Sequence, residues 1–269
     1  MKADADLARA LDGTRVLFCY GLLGEVIAGL APIGLDYMGR QMAWLRDIDV
    51  AVHLAKLPTA APVGVNAGRI VAAMLAEPSP AILIGHSKGG LEALAALVRP
   101  GMAERCRGFI ALQSPFMGSP LADAILARRQ VLLAVHHLAR LSHLGTGRGL
   151  RDLTVPVRQA WMRAHAAEVA ALVARIPVST LATVIAPRGD WRESAYRRLA
   201  RWMEAEGAGP GDGLVPLGSA LLPGARQRVL EGGHRALVAG GQGRDPVGLL
   251  RDELWWLLRG QAPAAIKFV

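Results

Sequence analysis

Ser87 stands in the middle of Gly85-His86-Ser87-Lys88-Gly89, and a short apolar run, Ala81 to Ile84, leads straight into it. The run predicts a buried strand, and Leu91 to Leu97 predicts a helix that Pro100 stops. Glycines flanking a serine between a strand and a helix remove the Cβ atoms that would clash in a very tight turn. They leave the serine at the apex, strained and with its hydroxyl exposed. A serine so presented is a candidate nucleophile for acyl transfer.

A serine hydroxyl is a weak nucleophile until a base takes its proton and an acid holds that base in the right tautomer. His234 is the candidate base, because Gly232-Gly233-His234 follows the last predicted strand near the C-terminus. His86 is too close in sequence to turn back onto its neighbour's hydroxyl, and is expected to pack beneath the turn. Two residues compete as the acid. Asp190 follows a predicted strand, but with Glu193 it also makes a helix capping box. Asp212 lies between two glycines in Gly211-Asp212-Gly213-Leu214-Val215-Pro216, where no helix needs a cap, and is the preferred acid. The tetrahedral intermediate also needs two preorganised N–H groups. Lys88, following the nucleophile, would supply one. Leu22 in Gly21-Leu22-Leu23-Gly24 would supply the other, although that segment also reads as a tight turn.

The elements that must position these groups alternate. Arg15 to Tyr20 predicts a strand, Tyr37 to Leu45 a helix, Ile48 to Leu54 an alternating strand, and Pro62 to about Glu77 a helix. After the serine turn come strands at Gly108 to Leu112, Thr180 to Ile185 and Arg228 to Leu230. Asp190 is followed by a helix with Ala195, Leu199, Trp202 and Met203 on one face. A last helix is capped by Asp245, opened by Pro246 and ended by Gly260. This order predicts an α/β fold with a mostly parallel sheet covered by helices on both faces.

From Pro120 to about Pro177 the strand signal stops. Leu121, Ala124, Ile125, Val131, Leu132, Val135 and Leu138 form one amphipathic stripe; Val157, Trp161, Met162, Val169, Leu172 and Val173 form another. Most of these side chains are expected to be ordinary core. As an insertion in this place, residues 120–178 are expected to be a helical cap over the nucleophile, with residues 1–119 and 179–269 as the core. Leu23, Leu121, Ile125 and Val215 are the candidate substrate contacts. Histidines 136, 137, 143 and 165 lie in this stretch without the carboxylate or cysteine pattern of a metal site.

Composition narrows the partners. The 269 residues carry a net charge of +9, with 27 arginines against 4 lysines spread along the chain. No basic block interleaved with aromatics and no nucleic-acid motif accompanies that charge, so it reads as solvated surface with at most weak attraction to an anionic membrane surface. Cys19 and Cys106 predict buried free thiols. The N-terminal Met1 to Thr14 lacks the apolar core of a secretory signal and no stretch reads as a membrane span, so the expected location is the cytoplasm.

Taken together, Gly21-Leu22-Leu23-Gly24, Gly34-Leu35-Asp36-Tyr37, the Gly85 to Gly90 turn, Ser114-Pro115 with Gly118-Ser119, and Asp212-Gly213-Leu214-Val215 followed by His234 resemble bacterial triacylglycerol lipases of the α/β-hydrolase superfamily. The resemblance spans residues 15–120 and 208–238 and is weak in the cap. It implies an α/β-hydrolase fold with Ser87 as nucleophile, Asp212 as acid, His234 as base, and Leu22 and Lys88 as oxyanion donors. The separation of 22 residues between Asp212 and His234 agrees with that pattern. Two features depart from it. Tyr20 replaces the usual histidine before the oxyanion glycine, and Arg235-Ala236-Leu237 replaces the segment that carries a calcium-binding aspartate, so no metal and no cofactor is expected. The implied activity is hydrolysis of a hydrophobic ester, small-molecule or lipid, through an acyl-enzyme. Acyl transfer and thioester cleavage share that intermediate, and a non-catalytic protein of this fold that binds lipid or a partner is the remaining reading.

Overall fold

A computed structural model describes residues 2–22, 37–58, 60–128, 148–241 and 243–259. Six parallel strands form one sheet: β1 (Arg15–Cys19), β2 (Ala51–Leu54), β3 (Ala81–His86), β4 (Cys106–Leu112), β5 (Val178–Val184) and β6 (Arg226–Glu231). Their spatial order is β2-β1-β3-β4-β5-β6, so the chain moves one way from β1 to β2 and then crosses back past β1 to β3. Parallel sheets open a crevice at the carboxyl ends of the strands on either side of such a reversal. Gly21 and Leu22 follow β1 there, and Ser87 follows β3.

Alternation along the strands sends side chains to two cores. Leu17, Cys19, Leu83, Phe109 and Ala111 join one cluster, with the helices α3 (Val63–Leu75) and α4 (Lys88–Leu97). Val16, Phe18, Ile82, Ile84, Ile110 and Leu112 join the other, with α1 (Lys2–Ala10), α2 (Gly39–Asp47) and the C-terminal helix at Pro246–Arg259. The architecture is the α/β-hydrolase fold, a mostly parallel sheet flanked by helices. Both cysteines are buried and free; burial raises the Cys19 thiol and pushes Cys106 up to about 12.

Several boundaries move from their sequence positions. The α4 helix begins at Lys88 rather than Leu91, because glycines 89 and 90 lie inside its first turn. The second strand starts at Ala51, since Asp49 adopts φ 60° where α2 ends. The fifth starts at Val178, two residues early, pairing with Phe109. Helix α1 carried no separate apolar stripe to announce it. Its Leu7 and the following Leu11 seal the edge of the second core. Asp245 caps the last helix as expected, its Oδ1 accepting the Gly248 N–H at 2.8 Å; Gly260 lies outside the described residues.

Between β4 and β5 the described residues form helices only: α5 (Pro120–Ala127), a 3-10 segment (Arg148–Leu153), α6 (Val155–Ala164) and α7 (Ala166–Arg175). The first stripe reaches only Ala127 in the described residues; Val131, Leu132, Val135 and Leu138 lie outside them, as do His136, His137 and His143. The second stripe is two helices, not one, broken at His165. Its apolar period runs unbroken through the bend, so the pattern gave no sign of it. Met162, Val169 and Leu172 are buried in the first core, with Trp161 and Val173 packed against it. His165 stacks on Trp161, ring centroids 4.3 Å apart, and pairs through Nδ1 with the Trp161 carbonyl. Asp152 Oδ2 accepts the Val63 N–H and so ties the segment to the start of α3, while Asp123 Oδ2 accepts the Val155 N–H at 3.1 Å and ties α5 to α6 within it.

Candidate active site

Ser87 sits at φ 53° and ψ −124° between β3 and α4, a conformation that costs a non-glycine residue about 1–3 kcal/mol. Close packing holds it there. A Cβ on Gly89 would overlap the Cys19 carbonyl, and one on Gly90 would overlap the Ser114 hydroxyl. The Ser87 N–H is fixed by the Leu112 carbonyl at 2.8 Å. Every other residue from Ala81 to Leu97 is buried, whereas Ser87 is half-buried. Its hydroxyl therefore lies at an opening, over the N-terminus of α4, where unpaired N–H groups and the helix dipole favour negative charge. Lys88 is the first residue of that helix. Its side chain turns inward and pairs with the buried Glu92, which also accepts from Asn66 Nδ2 at 2.7 Å.

The structure brings His234 and Asp212 together. His234 Nδ1 lies 2.8 Å from Asp212 Oδ2. A carboxylate can only accept, so Nδ1 carries the proton and Nε2 keeps its lone pair. Asp212 is fully buried and Gln113 Nε2 donates to the same Oδ2 at 3.3 Å. The residues around Asp212 announce no local duty for its carboxylate. In fact its Oδ1 accepts the N–H groups of Leu214 and Val215, each at 2.8 Å, which closes the acidic turn. Asp190 is elsewhere: its Oδ1 accepts from the Arg192 N–H at 2.8 Å. The expected capping box is half formed, because Glu193 instead accepts the Gly233 N–H at 3.1 Å and pairs with Arg244. Glu193 thus holds the histidine loop.

His86 and Tyr37 connect the loops of the site. The Tyr37 hydroxyl accepts the Gly21 N–H at 2.9 Å and lies 2.7 Å from His86 Nδ1, while His86 Nε2 lies 2.9 Å from the His234 carbonyl. A carbonyl only accepts, so Nε2 donates to it and the tyrosine hydroxyl donates to Nδ1. One neutral imidazole therefore links the loop after β1, the serine turn and the histidine loop. Tyr20 packs edge-on to Tyr37, centroids 4.9 Å apart, so the residue that departs from the lipase pattern props this tyrosine. Gln113, at φ 52°, adds a second link, donating to the Gly233 carbonyl at 3.0 Å and to Thr183. Gln113 carries no signal in the sequence, and Tyr37 enters there only as the end of Gly34-Leu35-Asp36-Tyr37, without a role.

Burial pulls the His86 imidazole down to about 3, with the neighbouring His234 adding to the shift. The unfolded chain binds a proton near 6.5 and the folded chain does not. Stability from this group is therefore complete above 6.5 and is lost as pH falls toward 3. Between pH 8 and pH 5 the loss is expected to be about 2 kcal/mol. Urea unfolding of wild type and His86→Asn at those two values checks it: the variant should show the shallower dependence on pH, and equal dependence would contradict the assignment.

A cavity of about 270 Å³ opens on Ser87 and His234. Of the candidate substrate contacts Leu121, Ile125 and Val215 line it, as does Leu22; Leu23 lies outside the described residues. The wall also includes Leu150, Leu153, Leu214 and Tyr196, which the stripe patterns did not mark, and one ionic side chain, Arg235. Among the described residues no cluster of three or more histidine, cysteine, aspartate or glutamate side chains could hold a metal, and no helix is long and apolar enough to cross a membrane.

No family model and no curated protein sequence matches the chain. Solved structures do match in shape. A metagenomic carboxyl esterase superposes with a TM-score of 0.69 at 19% identity, covering 92% of this chain and 76% of its own. The mature lipase of Bacillus licheniformis gives 0.66 at 18% identity, covering 91% of each chain. Staphylococcus hyicus lipase gives 0.67 at 14% identity, covering 94% of this chain and 98% of its own. At such identities the likeness is one of fold.

Proposed function

We propose that the protein is a serine carboxylic-ester hydrolase of the lipase/esterase kind, acting on hydrophobic acyl esters. The observation that carries this reading is that the imidazole of the buried Asp212–His234 pair and a strained, half-buried Ser87 line one apolar cavity. The fold neighbours include a carboxyl esterase and two lipases, which supports it.

In this mechanism His234 Nε2 takes the Ser87 proton as Oγ attacks the ester carbonyl. The N–H groups of Lys88 and Leu22 receive the oxyanion. Collapse breaks the bond to the alcohol, which leaves with the proton from Nε2. Water then gives its proton to Nε2 and attacks the acyl-enzyme, releasing the acid and restoring Ser87. The described part of residues 120–178 acts as the cap: Leu121, Ile125, Leu150 and Leu153 form the acyl wall together with Val215.

A series of p-nitrophenyl esters of increasing acyl length tests the assignment. Each methylene buried against this wall is expected to raise kcat/KM by up to about fourfold until the cavity is filled. Ile125→Trp, which shortens the cavity, should move the optimum to shorter esters. An optimum at acetate in wild type, or one that Ile125→Trp leaves in place, would contradict the acyl site.

A further inference from the structure

Between Pro187 and Arg201 five arginines stand against two carboxylates. Both carboxylates are engaged: Asp190 accepts the Arg192 N–H, and Glu193 turns to the Gly233 N–H and Arg244. Arg188, Arg192, Arg198 and Arg201 are exposed. Arg188 and Arg198 have no hydrogen-bond or ion-pair partner among the described residues. The four cations lie together. Arg201 Nη2 donates to the Pro187 carbonyl at 3.2 Å, which sets the helix Ser194–Ala205 beside the loop that carries Arg188. Arg198 and Arg201, three residues apart, are neighbours on that helix.

Trp191 stands among them and is 76% exposed, more than any other large apolar side chain of the described residues. The Arg192 guanidinium lies 5.7 Å from its ring centroid. Its exposure is held by the fold, because the buried Arg197 donates to the Gly189 and Asp190 carbonyls and fixes the turn. An indole kept in water costs free energy that a covering partner would recover. The same segment borders the cavity. Tyr196 is in the cavity wall, Glu193 holds the histidine loop, and a Cβ on Gly213 would overlap the Tyr196 backbone.

An anionic bilayer surface matches both parts of this patch. Arginines are drawn to its negative potential and pair with headgroup phosphates, and a tryptophan settles at headgroup level with its ring buried and its N–H wet. A single-stranded nucleic acid would call for several stacking aromatics along a basic groove, whereas Trp191 is the only exposed aromatic among these arginines. From this juxtaposition we propose that Trp191 with Arg188, Arg192, Arg198 and Arg201 is the surface by which the protein docks on an anionic lipid bilayer, with the cavity rim toward the headgroups. The docking needs no turnover and stands apart from the ester-hydrolase reading.

The test measures binding of the full chain, as wild type and as Ser87→Ala, to sedimented vesicles. One set is phosphatidylcholine alone; the other is equal parts phosphatidylcholine and phosphatidylglycerol. Both proteins are expected to bind the mixed vesicles at least about tenfold more tightly, and added salt should weaken that binding. Each arginine near such a surface is worth about fivefold, so Arg188→Gln with Arg198→Gln should weaken it about 25-fold. Arg46→Gln with Arg69→Gln removes the same charge from exposed positions on α2 and α3, and should change it by no more than about twofold. Mixed vesicles should shift the tryptophan emission of wild type to the blue, and Trp191→Ser should lose most of that shift. Equal weakening by the two arginine pairs would mean that overall charge, not the patch, does the binding, and would overturn the proposal. So would equal affinity for the two kinds of vesicle, an emission shift that Trp191→Ser retains in full, or displacement of bound vesicles by a single-stranded oligonucleotide at equal phosphate concentration.

Discussion

Ser87→Ala is expected to lower kcat on a hydrophobic p-nitrophenyl ester by roughly 10⁵-fold or more, with no loss of folding. In the proposed mechanism this hydroxyl forms and breaks the acyl bond, and the oxyanion donors alone do not replace it. The same residue carries backbone strain at φ 53°. Ser87→Gly removes the Cβ from that conformation, and is expected to be as inactive as the alanine variant yet more stable, by up to about 1 kcal/mol. Initial rates give the first quantity and urea midpoints the second. Retained turnover in either variant would remove Ser87 from the chemistry. A loss of stability in Ser87→Gly would mean that the turn is not held under strain.

Asp212→Asn is expected to cost about 10⁴-fold in kcat, and the reason lies in the hydrogen bonds of both carboxylate oxygens. Oδ1 accepts two backbone N–H groups, from Leu214 and Val215, so an asparagine keeps its carbonyl oxygen there. Its NH₂ must then face His234 Nδ1. Two donors cannot share that position, so the imidazole shifts its proton to Nε2 and can no longer take one from Ser87. Folding should survive, since the acidic turn stays closed. Asp190→Asn is the contrast. That carboxylate accepts from the Arg192 N–H at the start of a short 3-10 turn, a task asparagine performs as well. Its kcat is expected within about threefold of wild type. Comparable loss in the two variants, or greater loss at Asp190, would reassign the acid.

What could be read from the sequence follows from how local each signal is. The serine turn was legible because it needs glycine where a Cβ meets backbone, at Gly89, and where one meets a side chain, at Gly90. Strands β1, β3 and β4 were legible because they are buried on both faces and read as continuous apolar runs. Strand β6 reads from sequence as Arg228 to Leu230 only, since its half-buried alternation puts Arg226, Gln227, Arg228 and Glu231 at four of its six positions and leaves its ends without an apolar signal. Those arginines are accommodated by Glu253 on the last helix, a partner far off in sequence. The same limit hid what Gln113 does, and what Tyr37 does beyond ending the Gly34-Leu35-Asp36-Tyr37 motif. Each carries a bond between loops that are adjacent only once the sheet has formed, and nothing in the residues around them signals it. Glu193 shows the opposite error: a valid local motif offered it a cap at Asp190, and the fold gave it the Gly233 N–H and Arg244 instead.

The proposed mechanism stands or falls on one nucleophile. Incubation with a fluorophosphonate, followed by intact-mass and peptide analysis, is the most direct measurement. Wild type is expected to gain one adduct, located on Ser87, and Ser87→Ala none. Absence of an adduct on wild type, or the same adduct on Ser87→Ala, would contradict the claim that Ser87 is the nucleophile.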